Sequence, residues 1–178
     1  MPTTALVWFR RDLRVHDHPA LTSAHRDCDR VVPVFVLDRR LLDGGRFPSA
    51  NRAWFLLESL RALRAALRER GGDLFLRAGR PEDALPALAA QTSAEAVYFA
   101  PDVSPFARAR DRRVEAALGR VEARRRPGNF VADVASPRTA DGRPYTVFSP
   151  FRRDWERLRR RPVHGAPRAV EVPAGLEP

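Results

Sequence analysis

Short apolar runs alternate with longer amphipathic stretches through the first 126 residues, the pattern expected of βαβ units wound around a parallel sheet. The runs Ala5 to Phe9, Val31 to Leu37, Leu74 to Arg77 and Ala96 to Ala100, with a weaker one at Val121 to Ala123, are bounded by turn or charged residues. They predict five parallel strands. Leu56, Leu60, Leu63 and Leu67 recur at spacings of four, three and four, which lays one apolar stripe of a helix over about residues 51–70 against the sheet. Gly71-Gly72 ends that helix. Asp17 before His18-Pro19, Ser104 before Pro105 and Ser149 before Pro150 each place an oxygen-bearing cap ahead of a proline, marking further helix starts. The expected fold is α/β: a doubly wound, Rossmann-like, five-stranded parallel sheet with helices on both faces. Phe151, Trp155 and Leu158 share a face of the last short helix, and Pro162, Pro167, Pro173 and Pro178 punctuate the stretch after it. One domain is therefore expected over residues 1–161, with 162–178 an extended, proline-rich linker.

A length of 178 residues suits a single domain. With 44% hydrophobic and 30% charged residues the chain has apolar surface enough to fold, and no run long enough to span a bilayer. Met1 to Phe9 lacks the charged and apolar regions of a signal peptide, so the expectation is a cytoplasmic protein with no membrane partner. The single cysteine, Cys28, excludes an internal disulfide and a cysteine-based zinc site. A net charge of +10 invites a nucleic-acid reading. All 32 basic residues are arginine in an alanine-rich chain, which GC-rich coding would also produce, so both explanations stand.

In a doubly wound sheet, ligands enter beyond the carboxyl ends of the strands where the winding reverses. If the first strand is central, that point sets Phe9 to Arg14 beside Pro101 to Phe106, with Asp38 nearby. No G-x-G-x-x-G follows the first strand and no Walker-type loop is present, which argues against a standard dinucleotide or ATP site. No nucleophile elbow occurs, and His16, His18, His25 and His164 lack metal-like partners and read as solvated or locally hydrogen-bonded.

The loop after the first strand reads Trp8-Phe9-Arg10-Arg11-Asp12-Leu13-Arg14-Val15-His16-Asp17 and strongly resembles the W-[FH]-R-x-D-L-R-x-x-D opening of DNA photolyases and cryptochromes. Val34 to Asp38 is similar to that family's second strand ending in aspartate. Tyr98 to Asp102, running on to Arg108-Ala109-Arg110-Asp111, resembles its fourth strand and R-x-R-D helix, and Tyr145 to Phe151 resembles its Y-x-V-F-[TS]-P-F segment. These blocks span nearly the whole chain.

The resemblance implies the amino-terminal antenna domain of a deoxyribodipyrimidine photolyase, a carbon-carbon lyase acting in light-dependent repair of ultraviolet-damaged DNA. The alternatives are a cryptochrome-type photoreceptor fragment or a stand-alone nucleotide-binding or interaction module. In the family, FAD, the lesion pocket and the electron relay lie in a helical domain after the linker. That domain would be this chain's partner, DNA would be a partner of the full-length protein, and no catalytic or metal-binding residue is assigned here. Trp8, Trp54 and Trp155 are expected in the core or an interface. The implied cofactor is an antenna chromophore that passes excitation to the flavin. Folate-type members carry an N-E pair before R-x-R-D where Phe106-Ala107 stand here, which favours 8-hydroxy-5-deazaflavin or a flavin over methenyltetrahydrofolate. The candidate crevice comprises Phe9, Arg10 and Arg11, Leu37 and Asp38, and Asp102, with Arg52 approaching from the long helix. Two alternatives remain open on the residues alone: Arg11, Asp12 and Arg14 as a salt-bridged loop brace, and Asp102 as a plain cap ahead of Ser104-Pro105.

Overall fold

A computed structural model describes residues 2–42 and 49–178. Two compact units make up the chain, residues 1–129 with 164–178, and residues 130–163.

The larger unit is built on five parallel strands, β1 (Thr4–Phe9), β2 (Arg30–Leu37), β3 (Phe75–Ala78), β4 (Ala96–Phe99) and β5 (Glu122–Arg125), in the order β3-β2-β1-β4-β5. β1 is central, and the winding reverses between it and β4, the arrangement that the sequence pattern predicts. Each strand falls within a residue or two of its expected bounds; the central strands β1, β2 and β4 stand out because a parallel strand covered on both faces is apolar throughout, whereas the edge strands β3 and β5 are only partly buried. All six residues of β1 are buried.

Alternate residues feed two cores. Ala5, Val7 and Phe9 join Val31, Phe35 and Tyr98 under α1 (Pro19–Asp27) and the long helix Ala50–Arg68. Leu6 and Trp8 join Val34, Val97 and Phe99 under the helices Pro81–Thr92 and Pro105–Ala117. With the one-turn helix α2 (Arg39–Leu42) counted, the long helix is α3 and the other two are α4 and α5. The leucine stripe of α3 behaves as its spacing dictates: Leu60, Leu63 and Leu67 are buried and Leu56 packs half-buried against the same core.

Two expected caps differ. At α1 the cap is His18, whose Nδ1 accepts the Leu21 N–H at 3.0 Å. Asp17 instead takes a left-handed φ of 51°, and its Oδ1 accepts the His164 N–H. The last helix, α6 (Phe148–Arg157), starts one residue before Ser149, with Val147 as a cap that makes no side-chain bond. Pro150 then lies in the first turn, where its missing N–H costs nothing. At α5 the expected cap is present, Ser104 Oγ accepting the Ala107 N–H.

The tail forms no helix or strand, but it is packed. Val170 is buried in the first core, its N–H donates to Arg70 O at 2.8 Å, and Val31 N–H donates to Glu171 O at 2.8 Å. β3 pairs only with residues 34–37 of β2, so the tail occupies the edge that β3 leaves open at the start of β2. Gly72 makes room for it: a Cβ there would lie 2.9 Å from Val170 Cγ1.

The smaller unit, residues 130–163, contains α6 and two side-chain-braced turns. Asp133 accepts from the Ala135 N–H and the Ser136 hydroxyl, and Thr139 bonds both backbone groups of Arg143. Tyr145, Phe148 and Phe151 make ring contacts beside α6.

Candidate chromophore site

The carboxyl ends of β1 and β4 carry the loops 10–18 and 100–104, and the first turns of α3 lie at the same end of the sheet, since the other end of α3 meets the tail at the start of β2. Loop 10–18 is held from within. Asp12, 2% exposed, accepts the Arg10 N–H at 3.1 Å, and its Oδ2 lies 3.0 Å from His18 Nε2. That contact is off the line of a straight hydrogen bond and is a close polar contact between the two side chains. Because His18 Nδ1 is an acceptor, the ring proton sits on Nε2, facing Asp12. Burial would raise the Asp12 carboxyl, but the bonds from His18 and the Arg10 backbone outweigh it and hold it below the usual range. Arg14 closes the loop by donating to Asp17 O at 2.7 Å and Gly128 O at 2.9 Å. Asp12 and Arg14 thus brace the loop, and the sequence signal was present in their spacing.

The seven candidate residues occupy different settings. Phe9 is wholly buried with its ring 4.6 Å from that of His18, so its side chain belongs to the core. Arg10 points to the other side of β1. Its Nη1 donates to Asp111 Oδ1 at 2.6 Å, and its guanidinium lies 4.5 Å from the Trp8 ring centre and 5.0 Å from that of Phe99. Burial pushes that guanidinium below its usual value against the pull of Asp111. Asp38, 4% exposed, is clamped by Arg40, and hydrogen bonds from Arg40 keep its carboxyl low. Leu37 is half-buried against the first core. Arg52 lies in the first turn of α3, its N–H donating to the Ser49 cap at 3.4 Å.

Arg11 and Asp102 pair with each other. Asp102 accepts the Ser104 N–H through Oδ1 at 3.1 Å and Arg11 Nη1 through Oδ2 at 3.1 Å. Burial would raise its carboxyl, yet the Ser104 bond and Arg11 hold it low. Arg11 is 75% exposed. Val103 and Phe106, before and in the first turn of α5, and Trp54 and Phe55, in the first turns of α3, are exposed. Trp54 is therefore a surface residue, Trp8 a core residue and Trp155 half-buried. The sequence marked Trp54 without showing its exposure, and it missed the Arg10–Asp111–Arg110 cluster, whose partners lie far apart along the chain.

The carboxylates at this end are held ionised and bonded to arginine or backbone, which suits binding and orienting a ligand. At this end of the sheet Arg11 and Asp102 form an ion pair at 3.1 Å, and Trp54, Phe55 and Phe106 are exposed. Among the described residues, no group of His, Cys, Asp and Glu is arranged to hold a metal ion, and no helix is long and apolar enough to cross a membrane.

A family model described as DNA photolyase matches residues 5–173. The chain belongs to the DNA photolyase family. Its match is to the amino-terminal α/β domain of photolyases and cryptochromes, which agrees with the resemblance read from the loop motifs. A deoxyribodipyrimidine photo-lyase of Streptomyces griseus is 37% identical over 178 residues, covering 98% of this chain and 39% of that protein. An uncharacterized 31.6 kDa protein of Synechococcus sp. PCC 6716 is 38% identical over 170 residues, covering 94% of this chain and 57% of that one. The crystal structure of a class III photolyase from Agrobacterium tumefaciens superposes with a TM-score of 0.88 at 28% identity, over 98% of this chain and 36% of that chain. This photolyase-type chain thus spans between about two fifths and three fifths of the length of these curated relatives.

Proposed function

We propose that this chain serves as the light-harvesting half of a deoxyribodipyrimidine photolyase. It would hold an antenna chromophore at the crevice beyond β1, β2 and β4 and work with a FAD-binding helical domain that acts on ultraviolet-damaged DNA. What supports the reading is the family match along residues 5–173, together with the Arg11–Asp102 ion pair after β1 and β4 and the exposed aromatic residues in the first turns of α3 and α5. A bound chromophore would supply light absorption and pass its excitation to the flavin by dipolar coupling. On this reading Asp102 and Arg11 fix the ring edge, Arg52 balances anionic groups, Leu37 lines the floor, and the ends of β1 offer backbone groups. Arg10 and Asp38 act from behind by holding the loops. Phe106-Ala107, standing where folate-type members carry N-E, favours 8-hydroxy-5-deazaflavin or a flavin.

The test is to titrate the purified chain with 8-hydroxy-5-deazaflavin, flavin mononucleotide and methenyltetrahydrofolate, following absorbance and fluorescence. Binding of one of the first two, with folate weakest, is expected, and the chain alone should repair no thymine dimers under blue light. Failure of every chromophore to bind, tightest binding by folate, or repair above a protein-free control would overturn the proposal.

A further inference from the structure

Residues 130–163 leave the larger unit after Asn129 and return to it at His164, and both attachment points are bonded to loop 10–18. On the outgoing side, Arg14 Nη2 donates to Gly128 O at 2.9 Å. On the returning side, the Asp17 N–H donates to His164 O at 2.7 Å, and Asp17 Oδ1 accepts the His164 N–H at 3.3 Å. Arg14 joins the two sides, because its Nη2 and Nε also donate to Asp17 O at 2.7 and 3.2 Å. One guanidinium fork thus bridges Gly128 and Asp17, a geometry that a lysine ammonium would not reproduce.

Local chemistry selects the residues at these points. Asp17 has a φ of 51°, a left-handed conformation that Asp and Asn tolerate and Ala resists. Gly128 permits a close approach: a Cβ there would lie 3.1 Å from Pro19 Cδ, in the first turn of α1, and 3.6 Å from Ala100 Cβ, just after β4. The proline ring cannot rotate away as a flexible side-chain tip would. Immediately beyond, the two stems bond each other, the Arg161 N–H donating to Val131 O at 2.9 Å and Arg161 Nε to Phe130 O at 3.2 Å.

We propose that Arg14 and Asp17 form a latch on both stems of residues 130–163, so that loop 10–18 and the stems open together as one cooperative unit while the sheet stays folded. By linkage, whatever holds the stems also holds the loop. Arg11 stands on that loop, so on the function proposed above the latch also governs one side of the crevice. The latch itself does not rest on that function, and its test uses no chromophore.

Amide hydrogen exchange of the full chain, resolved by residue in NMR, reads the opening. In the unmodified protein the Asp17, His164 and Arg161 amides should have protection within about threefold of one another and at least about tenfold below that of the β1 amides. Arg14→Gln should speed exchange of all three about tenfold, as should Asp17→Ala for His164 and Arg161, whereas Asp17→Asn should stay within about threefold of the unmodified protein. Gly128→Ala, which disturbs the latch from the stem, should speed the Asp17 amide. Val114→Ala, in the core that stays folded during this opening, should speed the β1 amides and leave the latch amides within about twofold. Latch amides that differ from one another by more than tenfold, that follow the β1 amides in Val114→Ala, or that ignore Gly128→Ala would overturn the proposal, as would equal damage from Asp17→Asn and Asp17→Ala. The comparison within the unmodified protein stands even where a variant fails to fold.

Discussion

Replacing Val170 by Ala removes two methyl groups from a side chain that is 1% exposed and packed in the first core. At about 0.8 kcal/mol per buried methylene, the transfer loss is about 1.6 kcal/mol. An incompletely closed cavity adds on the order of 1 kcal/mol, for a total of about 2 to 3 kcal/mol. In a chain of this size that lowers the melting temperature by about 4 to 12 °C, because 1 kcal/mol is worth about 2 to 4 °C. Gly72→Ala attacks the same contact from the other side, since its Cβ would lie 3.0 Å from Val170 Cβ and 3.2 Å from Val170 O. The carbonyl cannot swing away like a side-chain tip, so a cost of about 1 to 3 kcal/mol is expected. In the double variant the new methyl partly fills the space that Val170 vacates, and the two costs should fall short of additivity by about 1 kcal/mol. Urea unfolding followed by tryptophan fluorescence reads all four proteins. A Val170→Ala cost below about 0.5 kcal/mol, or strict additivity, would show that the tail is a free linker and refute the packing argument.

Two further substitutions probe the charged framework. Burial would raise the Asp73 carboxyl, but hydrogen bonds from Arg64, Arg68 and the Leu74 backbone overcome that effect and bring it down to about 2. A depressed carboxylate stabilises the fold above its unfolded pKa and loses that contribution as pH falls towards 2. Asp73→Asn should therefore cost about 1 kcal/mol at neutral pH, after allowance for the exposed arginines, and flatten the stability profile between about pH 4 and 2; an unchanged profile contradicts it. Asp111→Ala leaves Arg10, 8% exposed, and Arg110, 12% exposed, without their shared carboxylate and should cost about 3 to 5 kcal/mol in urea unfolding, whereas a cost under about 1 kcal/mol would mean that the guanidinium–ring stacking on Trp8 suffices.

The central strands were legible as continuous apolar runs, and the α3 stripe because it repeats a period over many residues. Single contacts were not. Val170 sits alone among prolines with no periodicity around it, and its place depends on Gly72, almost a hundred positions earlier. The cap of α1 was misassigned because Asp17 and His18 both carry suitable acceptors, and only the fold shows that Asp17 turns to His164. For the candidate crevice, the strand order brings the loops after β1 and β4 to one end of the sheet, but side-chain direction was not legible: Phe9 and Arg10 follow the strand alternation to opposite sides of β1, and neither side chain is left for a ligand.

Asp102 divides the chromophore reading from a merely structural one. Asp102→Ala and Ser104→Ala each remove a side-chain bond around the start of α5 and each should cost about 1 kcal/mol of stability. With both variants folded at the assay temperature, titration with 8-hydroxy-5-deazaflavin and flavin mononucleotide should show wild-type affinity in Ser104→Ala and binding weakened about tenfold or more in Asp102→Ala, the loss of one charge-assisted hydrogen bond. Equal affinity in the two variants would contradict the assignment of Asp102 to the chromophore and leave it as a cap.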